Sequence, residues 1–155
     1  MEELEGGCAC DMVRYRLEGR PMYVHCCHCT ACQTETGSAF ALNLLIESDR
    51  VRLVSGVPEP VMTPSASGKG QQILRCRDCE VALWSNYGGA VDKIRFVRGG
   101  TLENPGAVVP DIHIFTRSKL PWVQIPPDAH AVPGYYDCAT TWPTESLERR
   151  KAVLV

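Results

Sequence analysis

Cys26-Cys27-His28-Cys29-Thr30-Ala31-Cys32 packs five cysteines and histidines into seven residues, and the reading of the chain begins here. Cys27, Cys29 and Cys32 follow C-x-C-x-x-C, which brings three thiolates close together. Zinc takes four tetrahedral ligands, and soft thiolates suit it. Three protein ligands with one position free is the arrangement of a catalytic zinc site. On extended chain Cys26 points to the face opposite Cys27, which makes it a small buried residue, with a place as an alternative ligand the other reading. His28 faces away from the metal for the same reason, toward a supporting hydrogen bond or solvent. The alternative for this group is a second structural zinc, completed by a histidine, Asp11 or Glu35.

Two further cysteine pairs lie on either side of it. Cys8-Ala9-Cys10 precedes an alternating stretch, and Cys76-Arg77-Asp78-Cys79 lies between two apolar runs. A C-x-x-C turn aims two sulfurs at one centre, and a C-x-C on extended chain does the same because residues two apart share a face. Together Cys8, Cys10, Cys76 and Cys79 give four sulfurs and a closed structural zinc site, whose binding free energy adds directly to folding. The expectation is two zinc ions per chain. Cys138 stands alone, with no base or cation beside it in sequence to activate it.

Outside these groups the chain reads as β structure. Apolar residues fall at every second position in Val13–Leu17, Phe40–Ile46, Lys93–Val97 and Asp111–Phe115, the period of a half-buried strand. Ile73-Leu74 and Val81–Trp84 are shorter apolar runs placed on strands. Turn signals separate them at Gly19-Arg20-Pro21, Ser55–Pro58, Gly88-Gly89, Gly99-Gly100 and Asn104-Pro105-Gly106. Helical signals are confined to Cys29–Thr36 and to a segment capped by Thr144 and running through Leu147 and Arg150. Ser65–Gly70 is the most flexible loop by composition. The prediction is a mainly β fold with few short helices, forming a single zinc-binding domain over residues 1–155.

Composition narrows the partners. The 155 residues are 45% hydrophobic and 22% charged, with a formal net charge of −2. That balance belongs to an ordinary globular chain and gives no electrostatic footprint for a nucleic-acid backbone. Arg149-Arg150-Lys151 follows Glu145 and Glu148 and is expected to be a solvated tail end, within a C-terminal tail over 143–155. Residues 1–7 are acidic and lack the apolar stretch of a signal peptide, and no window reaches the ~18–20 apolar residues of a membrane span. The expected setting is cytoplasmic, where thiols stay reduced and nine cysteines call for metal rather than disulfides. Among the other histidines, His25 and His113 read as core or edge residues of strands. His130 has no identifiable partner. At least two of Trp84, Trp122 and Trp142 are expected in the core.

The donor type sets the chemistry. Three thiolates around a divalent zinc leave a net negative site, a poor activator of water for hydrolysis. Such a site favours taking a substrate thiol as fourth ligand and holding it deprotonated. That thiolate can add to a small electrophile such as an aldehyde, or the adduct can collapse in reverse.

The ordered set Gly7-Cys8-Ala9-Cys10, Cys27-His28-Cys29-Thr30-Ala31-Cys32, Gly68-Lys69-Gly70 and Cys76-Arg77-Asp78-Cys79 resembles the glutathione-dependent formaldehyde-activating enzyme family. Its domain is also found in centromere protein V. The likeness continues through Gly100-Thr101-Leu102, Pro110–Phe115 and Leu120-Pro121-Trp122, covering about residues 6–137. It implies a β-tent fold of small twisted antiparallel sheets. It also implies a structural zinc at Cys8, Cys10, Cys76 and Cys79, and a catalytic zinc at Cys27, Cys29 and Cys32. The activity implied is that of a carbon–sulfur lyase resembling S-hydroxymethylglutathione synthase. Its substrates would be a small thiol such as glutathione and a small aldehyde. A non-enzymatic, zinc-stabilised protein-binding module is the alternative. Lys69 is a candidate for holding an anionic substrate group. Three positions depart from the family pattern: Asp11 and Glu80 stand where glycine is usual, and Gln33 stands where arginine is common. A non-glycine residue in the left-handed conformation costs ~1 kcal/mol or more.

Overall fold

The computed structural model of the chain describes residues 3–88 and 92–155. Ten strands dominate it: β1 (Leu4–Gly7), β2 (Arg14–Leu17), β3 (Tyr23–Cys27), β4 (Ala41–Glu47), β5 (Val51–Ser55), β6 (Glu59–Thr63), β7 (Gln71–Arg75), β8 (Ala82–Tyr87), β9 (Ile94–Arg98) and β10 (Ile112–Ile114). Three α-helices accompany them, α1 (Thr30–Thr36), α2 (Cys138–Thr141) and α3 (Thr144–Leu154). One sheet has the order β1-β2-β5, the other β10-β3-β4-β9-β8-β7-β6. The fold is mainly β, as the alternating stretches predict. All pairings are antiparallel except that of β3 with β10, so the larger sheet is mixed rather than purely antiparallel. The long route from Cys27 to Ile112 permits that parallel return, which a tight hairpin could not make.

The six stretches read as strands correspond to β2, β4, β9, β10, β7 and β8. The signal at Gly89 lies outside the described residues. Four strands lack a visible period. β3 is buried at all five positions because both of its faces are covered, and a strand buried on both faces does not alternate. β6 carries Pro60 and forms the end of its sheet, where a missing N–H breaks no ladder. β5 is mostly exposed beyond Val51. β1 contains Gly6, where a Cβ would lie 2.5 Å from the Tyr15 hydroxyl and 2.6 Å from the Thr101 carbonyl. Only glycine allows that approach.

Two apolar clusters fill the interior. The first joins the small sheet to one face of the large one through Val13, Tyr15, Leu17, Leu44, Ile46 and Trp84. The second, on the opposite face of β3, holds Tyr23, Cys27, Ile112 and Trp142. Trp84 and Trp142 are buried and Trp122 is exposed, so two of the three tryptophans are core residues as expected.

The C-terminal segment corrects the sequence reading. It is no solvated tail: Ser146 is buried and its hydroxyl donates to the Met22 carbonyl at 2.6 Å. Leu147 and Val153 pack on the second cluster. Arg149 donates twice to Glu47, at 2.7 and 2.6 Å, and the Glu47 side chain is only 4% exposed. α3 starts on Thr144 with Pro143 at the cap position, where no side chain caps the helix, so Thr144 is not the cap.

Burial pushes the Glu47 carboxyl up, but the Arg149 hydrogen bonds outweigh it and hold the group below its usual 4.5. Arg149→Met should cost about 3 kcal/mol at neutral pH, because it strands a buried charge. The depressed carboxylate contributes fully above its unfolded value, and the contribution is lost as pH falls through the folded one. The gap between wild type and variant in urea denaturation should therefore close on acidification below about pH 4.

Candidate metal centres and the cavity beside them

Cys8, Cys10, Cys76 and Cys79 place all four sulfurs within 4.8 Å of one another. Cys10 Sγ lies 3.6 Å from both Cys8 Sγ and Cys76 Sγ. Cys8 and Cys10 sit on the turn between β1 and β2, and Cys76 and Cys79 on the turn between β7 and β8. The cluster thus joins the small sheet to the far part of the large one. Each turn is closed by the backbone: Cys8 N–H donates to Val13 O and Cys76 N–H to Val81 O. The Val81 N–H also draws the Cys79 thiol down to about 6.

Both turns need a left-handed residue, and Asp11 and Glu80 each supply it with φ of 62°. Both residues that depart from glycine take the left-handed conformation themselves, which carries strain. Glu80→Gly should raise stability by about 0.5–1 kcal/mol, the left-handed penalty less the added freedom of glycine in the unfolded chain. Thermal denaturation of the metal-loaded variant measures it.

Cys27, Cys29 and Cys32 form the second cluster, again within 4.8 Å and all buried. Cys27 ends β3. Cys29 caps α1, its sulfur accepting from the Cys32 N–H at 3.3 Å, and Cys32 lies in the first turn of that helix. Gly37, with φ of 64°, ends the helix. The Cys27 and Cys32 thiols donate to the Cys29 sulfur and bring it down to about 2. The same crowding pushes Cys27 up to about 12 and Cys32 upward. Three sulfurs this close cannot all ionise without a counter-charge, and a thiophilic divalent cation supplies one to all three. Donor type and spacing in both clusters are consistent with zinc.

None of the sequence candidates for a fourth ligand joins this cluster among the described residues. Glu35 is held by Arg75 at 3.0 Å and Arg98 at 2.8 Å. Asp11 is exposed near Arg14. His28 is fully buried and faces away, its Nε2 3.0 Å from His113 Nδ1 and 3.5 Å from Cys26 Sγ. Burial, with His113 and Lys119 nearby, lowers His28 to about 4. Register places Cys26 opposite His113, so the two histidines link β3 to β10 behind the cysteine centre. His130 is exposed, and Cys138 is partly buried with its thiol pushed up by burial.

A cavity of about 560 Å³ opens over the three-cysteine centre. Cys27, Cys29 and Cys32 line it, with Tyr87, Phe96 and Phe115 among its walls. Its charged residues are Lys69, on the loop singled out by composition, and Arg117. Arg117 had no signal in the sequence; it reaches the cavity because left-handed Phe115 turns the chain directly after β10. Gln33 does not line the cavity. Its amide donates to the His28 and Ser118 carbonyls at 3.0 and 2.9 Å, fastening the cysteine loop to the chain beyond β10. His25 and Tyr135 complete the wall from the β3 side and the C-terminal segment. Burial lowers His25 to about 4.

Residues 3–118 match the family model of the glutathione-dependent formaldehyde-activating enzyme. The chain belongs to that family. Members of the family are associated with formaldehyde activation, and the match spans both cysteine centres, Lys69 and Arg117. No curated protein matches the chain. Among solved structures, a crystal structure of a Rhodobacter sphaeroides protein aligns with a TM-score of 0.49 at 18% identity, covering 68% of this chain and 91% of that one. No helix among the described residues is long and apolar enough to cross a membrane.

Proposed function

We propose that the protein is a zinc-dependent carbon–sulfur lyase or synthase that joins a small thiol to an aldehyde or splits the adduct, with glutathione and formaldehyde as the reference pair. The observation that carries this reading is the meeting of Cys27, Cys29 and Cys32 in one cavity whose two charged residues are both cations. In this reading Cys8, Cys10, Cys76 and Cys79 hold a structural zinc, while Cys27, Cys29 and Cys32 hold a second. A zinc bound by three thiolates leaves a position for a substrate thiol and keeps that thiol ionised at neutral pH.

The chain's own groups do the rest. Lys69 and Arg117 bind the carboxylates of the thiol and orient its sulfur toward the centre. Tyr87, Phe96 and Phe115 exclude water from the reacting carbon, which strengthens charge interactions there. The substrate sulfur forms a bond to the carbonyl carbon while the π pair moves onto oxygen, which is then protonated from water. The C-terminal segment contributes Tyr135 to the same cavity, which supports reading the chain as one domain.

Protein purified without chelator should contain two zinc ions per chain by elemental analysis. Cys29→Ser should keep its circular dichroism spectrum, lose one equivalent and lose turnover of glutathione with formaldehyde. Lys69→Ala and Arg117→Ala should each raise KM for glutathione by about fivefold with kcat unchanged, the size of an exposed charge pair. Full zinc occupancy with no turnover of any thiol and aldehyde pair would leave the protein-binding module in its place.

A further inference from the structure

Five rings line the cavity and follow one another around it. Tyr87 packs on Phe96 at a centroid distance of 4.6 Å, and Phe96 lies 6.3 Å from His25. His25 lies 5.9 Å from Tyr135, which lies 6.2 Å from Phe115. Each step falls within the ~4.5–7 Å of interacting aromatic pairs. We propose that this arc receives an aromatic group carried on the substrate carbon, so that the carbonyl substrate is an aromatic aldehyde rather than formaldehyde. This rests on the thiol and aldehyde reading above and names its second substrate.

Charged and apolar walls divide the cavity between the two halves of an adduct. Lys69 and Arg117 are exposed, so the anionic end of a thiol bound by them stays near solvent. No carboxylate lines the cavity among the described residues. The Arg117 guanidinium lies 5.5 Å from the Phe115 ring centroid, which joins the cationic end to the arc. The cysteine centre adjoins the arc elsewhere. His25 and Cys27 lie two apart on β3 and share a face, and Ile114, next to Phe115, pairs in register with Cys27. A sulfur held at Cys27, Cys29 and Cys32 therefore has rings beside it. The group on the carbon bonded to that sulfur is what they meet.

Size separates the two kinds of aldehyde. Formaldehyde has two heavy atoms and takes up about 60 Å³, twice the share of a water molecule in the liquid. That is about a tenth of the 560 Å³ cavity. A molecule so small cannot reach from Tyr87 to Tyr135, and most of the arc contributes nothing to holding it. Tyr135 is 56% exposed although it lines the cavity, which leaves apolar surface uncovered there. Water exclusion alone does not call for an exposed ring. A phenyl-sized group covers that surface, and its burial is worth about tenfold or more in affinity. Ring-to-ring contacts add about threefold.

Atoms and charge balance in the step. The thiol gives its proton to water, the sulfur pair forms the bond to the carbonyl carbon, and the π pair moves onto oxygen. That oxygen takes one proton from water. The product is a hemithioacetal whose carbon carries the aryl group, and the reverse step returns thiol and aldehyde.

Stable S-substituted glutathiones, titrated calorimetrically into zinc-loaded protein, test which group the arc takes. S-Benzylglutathione should bind about tenfold or more tighter than S-methylglutathione. S-Cyclohexylmethylglutathione has similar bulk but no π face, and it should bind about threefold more weakly than S-benzylglutathione. Tyr135→Ala, at an exposed position, should cut S-benzyl affinity about fivefold and keep S-methyl affinity within about twofold. In exchange NMR the wild type should accelerate glutathione addition to benzaldehyde by a larger factor than addition to formaldehyde. Four results would each overturn the substrate class and leave the thiol and aldehyde reading standing. These are S-benzyl binding no tighter than S-methyl, cyclohexylmethyl binding as tight as benzyl, equal losses in Tyr135→Ala, and a larger acceleration with formaldehyde. A zinc-loaded protein that accelerates no thiol and aldehyde pair would overturn that reading, and this class with it.

Discussion

β3 is hydrogen-bonded along both edges and buried on both faces, and the arrangement of the candidate site depends on that confinement. A one-residue slip in a strand exchanges its two faces, so a strand covered on both sides has one usable register. In that register Tyr23, His25 and Cys27 face the cavity side, while Val24 and Cys26 face the other cluster. Four consecutive residues thereby serve different ends. Cys27 enters the thiolate centre, Cys26 and His28 tie the strand to His113, and His25 forms the cavity wall.

The two cysteine centres differ in how the fold treats them. The four-cysteine cluster lies between the turns of two sheets and is partly exposed, with Cys10 open to solvent. Its donors are complete, which suits a clamp. The three-cysteine cluster is buried at the junction of a strand end and a helix start, and its remaining side is the cavity. Cationic residues at that cavity and aromatic walls within it agree with an anionic thiol whose reacting carbon must be shielded from water. Family membership over residues 3–118 points the same way. The segment beyond 118 is no appendage: it supplies Tyr135, Tyr136 and Trp142 around His25, and Arg149 for Glu47.

Much of this was legible in the chain. The cysteine groups identify themselves as candidate metal clusters because C-x-C and C-x-x-C bring sulfurs together within a few residues. Strands with one wet face show themselves by alternation, as β2, β4, β9 and β10 do. Asp11 and Glu80 were readable as strained turn positions, and both adopt the left-handed conformation. β3 shows no alternation, because burial on both faces erases the period; only the extended setting of His25 and the cysteines was legible there. The docking of α3 was not legible: its charged sequence resembles a solvated helix until Glu47 is seen beneath Arg149.

The sequence by itself determined the cysteine clusters, the mainly β character and the weak net charge, since these rest on composition and on spacings of a few residues. Tertiary structure alone decided that Lys69 and Arg117 share one cavity, that Gln33 braces the loop rather than facing substrate, and that Tyr136 meets His25 across 111 residues. The physical reason is range. Side-chain periodicity reports which face of an element is wet, but not which distant element covers the dry one, and that pairing is where the partner of His25 and the charge on Glu47 are settled.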